Sequence, residues 1–279
     1  IVMSLIFSFE SVTNGIIITN FKPIDLSLVL EKIGRGTVLL AMLTFPLSAF
    51  LFKKNKIFSF LFYSLCVFSI FSLPMTAALA GVTLGTIFAI LCYMFGNKFN
   101  NIFFIIFSIY IFTAPFISNS LITIENLREN NIFLSSPNEH RIGIWSYTSK
   151  KSIENFPFGL GFDSSRNLGK KGDEIEEMRI NDDYAPSALP LHPHNAILQI
   201  WLELGLIGII LSLTIFYGII KKINQFKNPF KKVVFMSLIG STLPPLLLSF
   251  GIWQAWWIST ILISFSLGIA LNRFPEKLK

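Results

Sequence analysis

Cysteine is nearly absent from this 279-residue sequence. Only Cys66 and Cys92 occur, both inside apolar runs, which excludes a disulfide framework and a cysteine-held metal. Charge is also scarce. Charged residues make up 14% of the chain against 52% hydrophobic, and the mean hydropathy is +0.62; soluble globular domains rarely reach that balance. Thirty phenylalanines are hard to bury in one soluble core but suit helix surfaces that face lipid. An integral membrane protein is expected. The net charge of +7 then reads as topology, and no nucleic-acid partner is needed to explain it. The chain opens IVMSLIF without an initiator methionine, Glu10 interrupts the first apolar run and no small-residue cleavage site follows. A truncated N-terminus is expected in preference to a signal peptide.

A helix needs roughly 20 apolar residues to cross a bilayer. Seven segments qualify, near 37–52, 57–73, 77–96, 101–118, 196–220, 233–250 and 253–271, with a weaker eighth at 1–19. The turns Lys53 to Lys56, Asn97-Lys98 and Lys221 to Lys232, and the tail from Arg273 to Lys279, are basic; Leu73 to Thr76 and Phe250 to Ile252 carry no charge. The positive-inside rule places the basic set in the cytoplasm, and the alternation of spans is consistent with it. The expected fold is therefore an all-α, polytopic membrane protein. Its parts are N-terminal spans over 1–118, a large external loop over 119–195 with short helices, and C-terminal spans over 196–279.

The loop holds most of the acidic residues and no cysteine, so function is sought there. Ser135-Ser136-Pro137 offers a helix start, and Ile142, Trp145 and Ile153 suggest a half-apolar helix over about 138–155 that ends at Phe156-Pro157-Phe158-Gly159-Leu160-Gly161. The charged stretch from Asp163 to Tyr184 is expected to be a solvated, mobile excursion.

At the end of the loop stands LPLHPHNAILQIWLELGLIG, residues 189–208. His192 and His194 have a spacing that suits one side of an extended metal site, but a third ligand is missing, so no metal or other cofactor is expected. His192 is expected to cap the helix and anchor it at the interface. With a helix starting near Asn195, a turn of 100° per residue puts His194, Leu198, Trp201, Gly205 and Gly208 on one inward face, with the glycines admitting another helix. An imidazole held there at the bilayer surface suits a general base acting on a hydroxyl. Asn195 is placed to cap the helix or orient the ring. Glu203 is a costly intramembrane carboxylate, about 180° from His194, with no catalytic role assigned. Trp253, Trp256 and Trp257 fit an aromatic belt at the external end of the last helices.

His194-Asn195, nine residues, then Gly205-Leu206-Ile207-Gly208 resembles the HN-x9-GxxG signature of the O-antigen ligase and polymerase superfamily of bacterial membrane glycosyltransferases. The likeness extends to Arg141 and Trp145 in HRIGIW, to the PxGxG element at Pro157, Gly159 and Gly161, and to Gly34-Arg35-Gly36 before an apolar span. Where family members often carry an arginine in an SRxA-like stretch, this chain reads PMTAALAG. The resemblance implies a GT-C-like helical bundle in the bacterial inner membrane with its active site on the periplasmic side. It implies an inverting transferase whose donor is a glycan on undecaprenyl diphosphate and whose acceptor is the lipid A-core or another glycan. His194 would be the base, and Arg141 and Arg35 would bind the diphosphate, a task suited to a planar, permanently charged guanidinium. Other functions in view are an O-antigen polymerase of the same superfamily and a non-catalytic membrane transporter.

Overall fold

The computed structural model describes residues 26–73, 75–169, 172–175 and 186–273, together with residues 6, 9, 10, 16 and 178. The weaker span expected at 1–19, the tail beyond Arg273 and much of the charged stretch up to Tyr184 thus fall mostly or wholly outside the described residues. Ten helices run through the described residues, with no strand longer than an isolated bridge. They are α1 (Leu26–Lys54), α2 (Lys56–Phe71), α3 (Thr76–Phe95), α4 (Asn97–Ser120), α5 (Ile124–Glu129), α6 (Ser136–Glu154), α7 (Ser164–Gly169), α8 (Ala196–Asn224), α9 (Pro229–Leu248) and α10 (Ala255–Arg273). Each of the seven expected spans coincides with one of them. Five are long and apolar enough to cross a membrane, in α1, α3, α4, α8 and α9; α2 and the apolar part of α10 are shorter. The 16 residues of α2 reach only about 24 Å.

The chain divides into two compact units. The first contains residues 1–100, 222–245 and 255–279. In it α9 is enclosed on every side, with residues Val234 to Pro245 all buried. Such a helix must be approached closely, and small residues allow it. A methyl group on Gly81 would stand 2.8 Å from the Ser241 carbonyl oxygen, one on Gly85 the same distance from that of Ser237, and one on Gly240 2.9 Å from the Gly85 Cα. Gly85 of α3 therefore meets Gly240 of α9, and Gly81 the Ser241 carbonyl, almost backbone to backbone. The basic turns gather at one end of this unit: Lys232 Nζ donates to Asn97 Oδ1 at 2.7 Å, Asn100 donates to Asn224 at 2.8 Å, and Phe52 stacks on Phe230 at 5.7 Å. Three separate basic loops thus share one end, as the charge alternation requires.

The second unit contains residues 101–221 and 246–254. Along α4, Ile102, Ile105, Ile109, Phe112 and Phe116 are exposed at helical spacing. That stripe suits contact with acyl chains. The 119–195 segment has a core of its own, in which Ile124, Ile142, Ile144, Leu168, Ile175, Ala188 and Leu189 pack with Leu202 of α8. Helix α6 begins within two residues of its expected start. Here the described part of the charged stretch departs from the mobile excursion expected of it. Ser165, Leu168 and Ile175 are buried, and Glu174 bridges to Ser187. Apolar residues spaced among the charges supply the anchors.

Gly85→Ala is expected to destabilise the protein by about 1–3 kcal/mol, since a side chain there overpacks against backbone that cannot step aside. Thermal unfolding in detergent measures it, with Gly218→Ala, whose added methyl would meet nothing within 4 Å, as the reference.

Candidate functional site

The second unit is organised by a break in α8. Gly205 has φ 56° and ψ −148°, a conformation open only to glycine. The break diverts one amide and frees two carbonyls. Leu206 N–H, which a regular helix would aim at Leu202, donates to the Pro157 carbonyl at 2.7 Å. The carbonyls of Leu202 and Glu203 accept instead from Leu160 at 2.8 Å and Gly161 at 2.9 Å. The PxGxG element thus completes the backbone hydrogen bonding of the broken helix. A methyl on Gly205 would lie 2.1 Å from the Pro157 oxygen, and one on Gly159, itself at φ 73°, 2.8 Å from Gly205 N. This corrects the expected role of the glycines. Gly205 admits a loop, and the Cβ of a residue at 208 would meet Leu204 and Ile200 of its own helix rather than a neighbouring one.

Beside the break, Glu203 is fully buried. Its Oε1 accepts from Ser165 Oγ at 2.6 Å and Gln199 Nε2 at 3.0 Å; its Oε2 accepts from Asp163 N–H at 2.9 Å and Trp253 Nε1 at 2.5 Å. All four lone-pair positions are filled. Gln199 is used at both ends, because its Oε1 accepts from Ile252 N–H at 3.0 Å. One carboxylate therefore ties together the loop at 163–165, α8 and the 252–253 connector. Sequence reasoning flagged the cost of Glu203 but missed this role; its donors come from segments far apart in the chain.

The histidines stand where α8 begins. Asn195 caps the helix, its Oδ1 accepting from Ile197 at 3.0 Å and Leu198 at 3.2 Å. Leu198, Trp201, Gly205 and Gly208 are all buried, but so is every residue from Asn195 to Glu203, so burial is not confined to the expected face. His194 itself has φ 55°. Its backbone N–H donates to His192 Nδ1 at 3.2 Å, and the two rings lie 4.3 Å apart. His192 thereby holds His194 in a left-handed turn instead of capping the helix. The His194 Nδ1 lies 2.7 Å from the Ser249 carbonyl oxygen. A carbonyl only accepts, so Nδ1 carries the proton and the neutral ring keeps its lone pair on Nε2. Burial holds His194 below the ordinary 6.5; the Ser249 carbonyl opposes this, while the neighbouring Arg141 and His140 add to it. Burial, with His194 and Arg166 nearby, pushes His192 down to about 4.

Arg141 lies on α6 in the same unit as His194, half-buried, donating to Asn138 Oδ1 at 3.1 Å. Glu139, two residues before Arg141, is taken by Arg128 at 3.0 Å. Among the described residues no ion pair compensates Arg141. Trp145, on the same helix, donates to the Pro193 carbonyl at 2.9 Å and so braces the histidine turn. Arg35 belongs to the other unit, exposed on α1 with its guanidinium 5.7 Å from the Trp256 ring centre. The tryptophans do not form the expected belt: Trp257 is fully buried and Trp253 points its indole N–H at Glu203.

A family profile described as "O-Antigen ligase" matches residues 27–213. Among curated proteins, the chain is similar to one named "Putative polysaccharide ligase" in Rickettsia typhi, 31% identical over 91% of this chain and 61% of that protein. A protein of the same name in Rickettsia conorii is 32% identical over 92% of this chain and 61% of its own length. The chain thus spans about three-fifths of the length of these relatives. No solved structure matches significantly.

Gly205→Ala is expected to cost about 3 kcal/mol or more, combining a forbidden backbone conformation with a collision against main chain. Limited proteolysis should then cut near residues 155–169. Because folded His192 binds a proton less readily than an exposed imidazole, stability should fall as pH drops from 6.5 toward 4 and stay unaffected by this group above 6.5. Melting temperatures across that range, with His192→Asn flattening the slope, check it.

Proposed function

The chain belongs to the O-antigen ligase family, and on that premise we propose that it transfers a glycan from undecaprenyl diphosphate to the lipid A-core. The observation that carries this reading is the state of His194: one ring nitrogen committed to the Ser249 carbonyl, the other left with a lone pair, in a turn braced by His192 and Trp145. The shared name of the Rickettsia proteins favours a ligase over a polymerase.

The chemistry asks for two things. The acceptor oxygen attacks the anomeric carbon and forms the new glycosidic bond with inversion, while the bond to the diphosphate breaks and its electron pair leaves with the phosphate. His194 Nε2 takes the hydroxyl proton, and Arg141 stabilises the charge that builds on the leaving group. Among the described residues the Arg141 guanidinium meets the neutral Asn138 oxygen and no carboxylate, so its charge is left to serve a diphosphate. Its charge also helps keep His194 unprotonated at neutral pH. Arg35 is proposed as a second diphosphate ligand on the sequence resemblance alone. The reaction takes place on the periplasmic side of the inner membrane, at the headgroup level where a lipid-linked diphosphate lies.

His194→Ala should abolish transfer while leaving the protein folded; full transfer by that variant would remove the base. Arg141→Lys should restore only part of the activity lost in Arg141→Ala, because lysine keeps the charge but not the fork. The wild-type kcat/KM should be flat at and above pH 6.5 and fall only at lower pH, as a base must be unprotonated to act and burial holds His194 below the ordinary value. In Arg141→Ala the acid limb should move to higher pH, since a positive neighbour is gone. Lipopolysaccharide from a deletion strain separates the sister activities: loss of all O-antigen with free lipid-linked polymer supports ligation, and core capped with a single repeat supports polymerisation.

A further inference from the structure

Next to the histidine turn lies a cavity of about 140 Å³, lined by Asp163, Arg166, His192, Trp253 and Gln254 among others. Its walls are preformed. Trp253 is held by its indole hydrogen bond to Glu203 and by Phe162, whose ring centre lies 4.7 Å away. Gln199, another wall, has both ends of its amide engaged. On the far side, Gly251 leaves room for the His192 ring, which lies 3.0 Å from where a side chain would begin.

The polar groups around the cavity are only partly engaged. Arg166 meets Asp163 through Nε at 3.1 Å, and its side chain remains 60% exposed. Gln254 reaches His192 Nε2 at 3.3 Å. The atom placed there is the Gln254 amide nitrogen; because His192 Nδ1 accepts from the His194 amide, the neutral ring carries its proton on Nε2, and the matching assignment exchanges the Gln254 amide nitrogen and oxygen.

We infer that this cavity is a binding subsite for one neutral pyranose ring, with Arg166, Asp163 and Gln254 holding hydroxyls and Trp253 forming an apolar wall. The charge balance excludes a phosphate as the preferred ligand: the Arg166 guanidinium is already offset by the Asp163 carboxylate, whereas among the described residues no ion pair offsets Arg141. A carboxylate, a guanidinium and an amide together can both donate to and accept from hydroxyls, and an indole matches the C–H face of a sugar. The size suits one ring and not a chain. The subsite is lined by His192, whose ring stands 4.3 Å from that of His194, so a sugar held here is one imidazole away from the proposed base. The assignment to transfer rests on the proposed function; the binding itself does not.

Two sources supply such a ring, the first sugar of the donor glycan and the terminal sugar of the acceptor. Full-length protein with Arg166→Ala or Gln254→Ala is assayed with donor and acceptor varied in turn. At least a tenfold rise in KM for one substrate is expected, with the other KM unchanged and kcat within threefold; the substrate affected identifies the source. Saturation-transfer NMR with the methyl glycosides of those two sugars provides a readout that needs no turnover. Binding to wild type and its loss in both variants supports the subsite even if no transfer is found, which would instead sink the transferase reading. Unchanged KM values and unchanged glycoside binding in the two variants would overturn the subsite. Arg166→Lys separates packing from recognition: partial recovery of glycoside binding supports a hydrogen-bonding role, and full recovery of KM with no glycoside signal in wild type overturns it.

Discussion

A carboxylate sealed inside protein needs a donor for every lone pair, because its lost hydration is worth several kcal/mol even after the surroundings relax. Glu203 collects four, from a loop amide, a serine, a glutamine and an indole. Remove the carboxylate and these donors lose their common target together. The loop after α6, the start of α8 and the connector before α10 are therefore held by one acid that need never touch substrate. Most of the site's geometry follows from it: the Trp253 ring forms a wall because its nitrogen is engaged, and Gln199 holds Ile252 only because its other end is fixed.

The break at Gly205 performs the same task in backbone terms. Helices in a low-dielectric setting normally satisfy every amide internally. Here the helix gives up one donor and two acceptors to a loop that supplies the complementary set. The exchange is neutral in hydrogen bonds, but it costs conformational freedom and demands glycine at two positions. What it provides is a rigid seat for irregular chain, which allows a loop to carry polar groups at defined positions rather than sampling many.

The all-helical fold was legible because it rests on long apolar runs, and all seven expected spans are helices. The charge pattern of the short turns was legible for the same reason; local composition determines it. At the start of α8 the helix itself was read correctly, but every residue from Ala196 to Glu203 is buried, so the 100° rule singles out no inward face there. Beyond that the rule loses its footing at Gly205, where the helix is no longer a helix. A glycine in an apolar run looks the same whether it admits a neighbouring helix or a loop, and only the partner at Pro157 decides. Glu203 was hidden in a different way. Its angle along the helix says where it points but not which four donors converge from elsewhere. Trp253 and Trp257 likewise sit where an interfacial belt would place them, yet tertiary contacts claim both. Arg141 shows the converse: Glu139 lies two residues away in the chain, and the fold gives that acid to Arg128.

The interlock between Pro157–Gly161 and the break in α8 also bears on how such chains can be rebuilt. The 119–195 segment looks like a cassette, flanked by spans and available for exchange between relatives. It is not one, because three of the hydrogen bonds that complete α8 reside in it. A chimera must carry a proline-x-glycine turn in the same register and meet a glycine at the helix break, or the recipient helix will be left with unsatisfied carbonyls inside the protein. Modularity in this molecule begins at the seam and not at the membrane surface.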